Sequence, residues 1–255
     1  MSALSIRRSL VALLALSMVS AGLAACEREP TEADSESKVF EEDISRIEVD
    51  SNGGAISFNA TDTDNVELER ELEWSDNKPA SAEAVDDGVL SIEVTGCPLI
   101  NQRDCFISYH FNLPHDVDIE VETEAGNIEL TGMQGDIDVK TEAGNVTGKG
   151  LASENITARS DAGNVNLRVV DEADSVVATS EAGNVTLNFA SPPGEVTAET
   201  KAGNSTVIVP SDGTVYQVDT KAHAGSVSVE VATDDAATRT LDVSSSVGNV
   251  RVDYR

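Results

Sequence analysis

Four carboxylates, Glu124, Glu142, Asp161 and Glu181, each stand two residues before a recurring glycine, and Lys201 takes the fifth such place. If a repeat of about 20 residues stacks these positions, the carboxylates line one outer edge roughly 5 Å apart, the spacing of neighbouring strands. A column of that kind repels itself and invites a hard, oxygen-seeking cation such as calcium. The GGxGxD nonapeptide of calcium-binding repeats is absent, and carboxylates on a solvated face usually have no ligand, so these four are weak calcium candidates. Cys97 and Cys105 enclose seven residues. Outside the reducing cytoplasm each has one intramolecular partner, and so short a loop can satisfy bridge geometry, which makes a disulfide the expected chemistry. None of the three histidines completes a metal-ligand pattern, and no nucleophile, base and orienting group recur together. No catalytic residue and no cofactor is assigned.

The amino terminus places the chain outside the cytoplasm. Arg7 and Arg8 precede an apolar run from Leu10 to Val19 that ends in Leu23-Ala24-Ala25-Cys26, an export signal too short to remain as a membrane span. The pattern resembles the bacterial lipobox, which implies cleavage before Cys26, acylation of that residue and membrane attachment through lipid. Loss of Arg7 and Arg8 leaves 15 basic residues against 46 acidic ones, a net charge of −31. Such a surface repels nucleic acid and anionic headgroups and attracts cations or basic partners. A solvated, aggregation-resistant coat is the plainest use of it, in keeping with a saline habitat. Residues 27–43, EREPTEADSESKVFEED, carry almost no apolar content and read with Cys26 as an acidic, flexible tether.

What positions the carboxylates is a repeated phrase: TEAGNI, TEAGNV, SDAGNV, SEAGNV, TKAGNS, then AGSV and VGNV. Its glycines are Gly126, Gly144, Gly163, Gly183, Gly203, Gly225 and Gly248, and the step between them lengthens toward the carboxy terminus. A regular step of this size means stacked structural units. Counted from each glycine, positions −7, −5, −3 and −1 are apolar or small, with Thr or Ser at −3 and alanine at −1 in nearly every repeat. That is a strand with one buried face. Beyond the glycine the buried set falls at +2 and +4, so the parity slips and the chain bends at Gly126-Asn127, Gly144-Asn145, Gly163-Asn164, Gly183-Asn184, Gly203-Asn204 and Gly248-Asn249. Glycine would supply a positive φ at the bend, and asparagine tolerates the left-handed region. The bend fits either a two-residue hairpin or a corner of a β-solenoid. Matching columns favour the solenoid, in which each residue lies over its equivalent and asparagine amides can form a ladder. On this reading alanine at −1 faces the interior, and the longer Gly225 repeat leaves Ala222 or Ala224 for that place with His223 as a surface bulge.

The expected fold is therefore all-β, a single-domain solenoid over 44–255 built of short, similar coils. RIEVDSNGGAISF starts it with Gly54 as a corner. Residues 59–116 break the period with strand-like runs at Val66 to Trp74, Val89 to Thr95 and Phe106 to Leu113, and residues 117–255 resume it. The irregular segment holds Trp74, Phe106, Tyr109 and Phe111, which suit an end cap or, as a sharper alternative, a carbohydrate-stacking platform. The chain stops just after the last coil, whose open end could serve a homo-oligomer.

The strand YHFNLPHDVDIEVETEAGNIEL, followed by GDIDVKTEAGNVTG, resembles the "putative-adhesin" family of exported bacterial β-solenoid domains of unknown function. Phe111-Asn112-Leu113-Pro114 leads into its recurring Gly-Asn or Gly-Asp corners, here mostly Gly-Asn, with Gly135-Asp136 between them. The resemblance implies a repetitive β fold on the cell surface and carries over no catalytic residues. The function expected is a non-enzymatic, lipid-anchored envelope module for adhesion, binding or spacing, with a glycan or protein of the envelope as partner. Calcium-dependent assembly and a polysaccharide-degrading β-helix are the alternatives. The latter needs a groove built by long loops with basic residues or calcium, and these coils are short.

Overall fold

The computed structural model describes residues 32–95 and 105–255. Cys26 and Cys97 lie outside them, so the lipidation and disulfide expectations stay as they were. The amino-terminal strands are β1 (Glu32–Phe40), β2 (Arg46–Ser51), β3 (Ile56–Ala60), β4 (Val66–Trp74), β5 (Ser81–Asp86), β6 (Val89–Val94) and β7 (Cys105–Leu113). The regular coils give β8 (Asp118–Ala125), β9 (Ile128–Thr131), β10 (Ile137–Ala143), β11 (Val146–Leu151), β12 (Asn155–Ala162), β13 (Val165–Val169), β14 (Ser175–Ala182), β15 (Val185–Phe189), β16 (Glu195–Ala202) and β17 (Ser205–Val209). The last two coils are β18 (Gln217–Ala224) with β19 (Val227–Val229), and β20 (Thr240–Val247) with β21 (Val250–Tyr254).

Each coil places the strand before its glycine in one sheet and the strand after it in the other. Sheet A runs β1-β4-β7-β3-β9-β11-β13-β15-β17-β21-β19, and sheet B runs β18-β20-β16-β14-β12-β10-β8-β2-β6-β5. The coil strands pair in parallel, with Ile119, Ile137, Ile156, Val176 and Val196 in one row. A meander of hairpins would pair antiparallel, so the chain is a β-solenoid. Between the sheets lies a continuous apolar interior, with Val146, Val165 and Val185 and then Leu167 and Leu187 stacked and excluded from water. Burying each such side chain stabilises the fold by about 1.5–3 kcal/mol.

The structure revises several expectations. The segment read as a tether contains β1, which pairs antiparallel with β4 over its whole length from Glu32 opposite Trp74 to Phe40 opposite Val66. Its charged residues share a face with buried Phe40 and pair with Arg70, Lys78 and Glu83 of the cap, and those partners, remote in sequence, outweigh its low apolar content. The irregular segment 59–116 is no separate insertion, since β6 and β7 form a coil that stacks on β2 and β3. Its aromatics do not form a platform. Tyr109 and Phe111 are buried, and the Phe111 ring stacks on Phe58 at 4.8 Å with the planes 5° apart. The faces a sugar would need are occupied.

Coil order in space also departs from order in sequence at both ends. The first coil, β2 and β3, lies between β8/β9 and the later β6/β7; the last, β20 and β21, lies between β16/β17 and the earlier β18/β19. Arg255 therefore does not follow an open final coil: the chain returns to fill the rung it had skipped. Tyr216 anchors the crossover, buried with its amide donating to the Ala232 carbonyl and its own carbonyl accepting from Asp234. Enclosing the β20/β21 coil guards it against fraying, whereas β1 at the other end remains an edge strand.

Burial raises the phenols of Tyr109 and Tyr216 to about 12 from the ordinary 10. A raised folded value means that the neutral phenols contribute stability fully below about pH 10, and that this is lost as pH climbs toward 12. Alkaline titration followed by tyrosinate absorbance and circular dichroism should show ionisation of these two residues together with loss of structure in that window. Ionisation near pH 10 with the fold intact would contradict the burial.

Candidate functional site

The corners are built by contact as well as by handedness: Gly54, Gly163, Gly203, Gly225 and Gly248 take the positive φ expected of them. A Cβ on Gly144 would lie 2.0 Å from the Gly126 carbonyl oxygen, and one on Gly163, Gly183 or Gly203 would lie 1.9–2.0 Å from that of the coil before. Asp87 is the single non-glycine residue at positive φ among those described, so no corner asparagine adopts the left-handed conformation. Asparagine serves the ladder instead: the Oδ1 of Asn127, Asn145, Asn164, Asn184 and Asn204 each accepts the next asparagine's Nδ2 at 3.1 Å and its amide at 2.9 Å. Ser226 ends it by donating to Asn249 at 2.8 Å.

The buried −3 hydroxyls have a role beyond small size. Ser160, Ser180, Thr200 and Ser245 each donate at 2.8 Å to the glycine carbonyl of the neighbouring coil, the oxygen that the close approach brings inward. A buried carbonyl left without a donor would cost about 1–3 kcal/mol. Alanine at −1, expected inside, is exposed in every repeat from Ala125 to Ala224. The parity slips before the glycine, because positions −2 and −1 both face outward. The Gly225 repeat keeps the same register, with Ala222 opposite Ser245 and Ala224 opposite Val247. His223 therefore takes the regular −2 place and is no bulge.

That −2 column is where the calcium candidates fall. Lys201 is ion-paired with Glu181, whose carboxylate holds the ammonium above its ordinary value, and Lys140 pairs with Glu122 at 2.6 Å. Among the described residues no three acidic, histidine or cysteine side chains gather where a metal ion could be held. Glu124, Glu142, Asp161 and Glu181 form a ladder without a chelating centre.

Sequence reasoning passed over the outward +3 and +5 columns of sheet A. Thr147, Asn166, Thr186, Thr206 and Arg251 form one row across β11 to β21, and Lys149, Arg168, Asn188, Ile208 and Asp253 form the next. They line a shallow groove of about 570 Å³ whose cationic members are Lys149, Arg168, Arg251 and Arg255 and whose only carboxylate is Asp253. Lys149 is ion-paired with Glu129 of the preceding coil and Asp253 with Arg251, while Arg168 and Arg255 make no salt bridge among the described residues. On the outer face of sheet B a second groove is lined by Glu48, Asp50, Glu93, Glu120 and Glu122. Four of 17 basic residues in so acidic a chain share one face. The +3 and +5 columns also hold Glu129, Glu230 and Asp253, so no clean charge signal marks this face in the sequence, and the clustering of its cations emerges only once a turn is known to separate two faces.

Residues 114–253, more than half of the chain, match the family described as Toastrack DUF4097. Solved structures similar in fold include a "putative cell adhesion protein" from Clostridium sporogenes (12% identity, 88% of this chain and 100% of that one, TM-score 0.35). Others are a "putative adhesin" from Bacteroides fragilis (12%, 87% and 97%, 0.45) and a "putative lipid binding protein" from Parabacteroides distasonis (13%, 87% and 97%, 0.26). No curated protein matches the chain.

The ladder makes a quantitative demand. Asn164→Ala removes three side-chain bonds to the two neighbouring coils, and at about 1 kcal/mol for each it should lower stability to urea by about 3 kcal/mol. Exposed Arg168→Ser should change it by less than about 0.5 kcal/mol. Equal midpoints for the two variants would show that the ladder contributes nothing.

Proposed function

This chain belongs to the Toastrack DUF4097 family, and from that premise we propose that it is a non-enzymatic module of the bacterial cell envelope that holds an acidic glycan along the outer face of sheet A. The observation that carries the reading is the groove of Lys149, Arg168, Arg251 and Arg255 set in a chain of net charge −29. A free anion is repelled by the molecule as a whole, so retention of an anion requires local, aligned cations. Rows of Thr and Asn beside the cations offer neutral donors and acceptors to hydroxyl groups. Strands spaced about 4.8 Å apart repeat on the length scale of a sugar residue, so an extended polymer can meet several rungs in succession.

Export and lipid attachment at Cys26 are part of this reading and rest on the amino-terminal sequence, and the Cys97–Cys105 bridge rests likewise on sequence. The rigid stack would then act as a presenting surface. A hydrolytic or eliminating role is not favoured: the groove is shallow and its one carboxylate is neutralised by Arg251, which leaves no acid and base pair to divide the work.

The test uses the soluble chain from Glu27 to Arg255 with polygalacturonate as probe and neutral dextran as control, by isothermal titration calorimetry at low and physiological salt. Polygalacturonate should bind with an affinity that falls as salt rises, and Lys149→Glu with Arg168→Glu should weaken it by roughly tenfold or more. Binding that is equal for the charge-reversed variant, or equal for dextran, would overturn the proposal.

A further inference from the structure

The two ends of the solenoid are finished differently. Beyond β7 and β6, where the interior would otherwise open, β4, β1 and β5 place charges at inward positions. Arg70 bonds Glu36 at 2.8 Å and Ser81 at 3.0 Å and is ion-paired with Glu83; Lys38 reaches Glu83 at 2.9 Å. Lys78 joins Asp34 at 2.6 Å and Glu36 at 2.8 Å. Inward charges of this kind close an edge against pairing. At the opposite end β18 and β19 carry no such layer. Their interior positions are Val218, Thr220, Ala222, Val227 and Val229, the last two 45% and 37% exposed, and each strand pairs on one side only, β18 with β20 and β19 with β21. Ala222 also breaks the −3 column of hydroxyls, so the coil lacks the donor its neighbours use.

Charge identifies the occupant. Flanked by Asp212 and Glu230, strands β18 and β19 hold one acid and one base, Asp219 and Lys221, so the edge they form is neutral in a strongly acidic molecule. Both point outward, and neither forms a salt bridge among the described residues. Asp219 lies beside Asp242 in register, a like-charge neighbour on its one paired flank. An antiparallel partner related by a two-fold axis through Thr220 would set Asp219 opposite Lys221 and Lys221 opposite Asp219. The same axis would place Val218 against Ala222 on the interior side. Directly opposed residues on antiparallel strands approach to about 5 Å, close enough for both ion pairs. The strand is thus complementary to itself in charge, in size and in its unpaired backbone groups.

We infer that β18 is the docking edge for a second copy of this chain, and that the protein forms a two-fold, end-to-end dimer through antiparallel β18 pairing. The uncapped apolar end is covered by its own equivalent, and the interface is isologous.

The experiment is sedimentation equilibrium of the Glu27–Arg255 chain in physiological salt, where repulsion between the acidic bodies is screened. The unmodified chain should dimerise. Lys221→Glu and Asp219→Lys should each set like charges opposite one another and weaken the dimer by roughly tenfold or more. The double variant D219K/K221E should restore it, because the exchange preserves the opposed pairs. Circular dichroism of each variant separates failure to fold from failure to pair. A chain that stays monomeric, a dimer indifferent to both single changes, or an edge that instead takes up a different protein would each overturn the inference.

Discussion

Everything in this molecule depends on how closely one coil can approach the next at a single point, the contact between a corner glycine and the carbonyl oxygen of the glycine before it. A Cβ there would lie about 2 Å from that oxygen throughout the repeats, with 1.8 Å for Gly248 against Gly203. This proximity sets the stacking distance at the corner, and the parallel ladders of both sheets inherit it. It also turns a carbonyl inward, and the serine or threonine hydroxyl at −3 answers that polar group where water cannot reach. The asparagine ladder closes the same corner from outside. Glycine, hydroxyl and amide are thus three parts of one solution to a parallel sheet that must turn a sharp edge without losing hydrogen bonds.

Once the corner is fixed, the outward columns are released from structural duty and can diverge. The acids on sheet B and the Thr, Asn, Lys and Arg rows on sheet A are the result. A solenoid converts position within a repeat directly into position on a face, so charge separation between faces needs no folding beyond the repeat itself. The ends obey a different constraint, because a stack must stop. One end stops with ion pairs among Arg70, Glu36, Glu83 and Lys38; the other presents Val227 and Val229. At the carboxy-terminal end the last coil fills the second-to-last rung, while at the other end β1 forms the outer edge of sheet A.

Much of this was legible in the sequence, for a physical reason: stacking repeats equivalent residues in space, so columns of Val, Ile, Leu, Ser and Asn can be read directly. The corners at Gly54 and from Gly126 to Gly248 follow from that, as does the asparagine ladder. What could not be read are features the period does not encode. The exposure of alanine at −1 depends on where the slip of parity falls, which alternation alone leaves undetermined between −3 and +2. The strand at 32–40 is stabilised by a partner remote in the chain, with Ser35 against Glu71 and Glu36 against Arg70, and its own composition does not announce it. Coil order at the ends was signalled only by the longer steps before Gly225 and Gly248, since a crossover that skips a rung requires extra chain.

The corner contact holds the stack together, and the measurement that bears on it most directly is the stability of Gly183→Ala in chemical denaturation, with exposed Ala182→Ser as the reference. The added methyl meets the Gly163 oxygen at 2.0 Å, which neighbouring coils on both sides prevent from moving. Gly183→Ala should therefore lose more than about 3 kcal/mol, and Ala182→Ser less than about 0.5 kcal/mol. A Gly183→Ala protein as stable as the reference would mean that the coils do not meet at the glycine and that the corner is not what sets the stack.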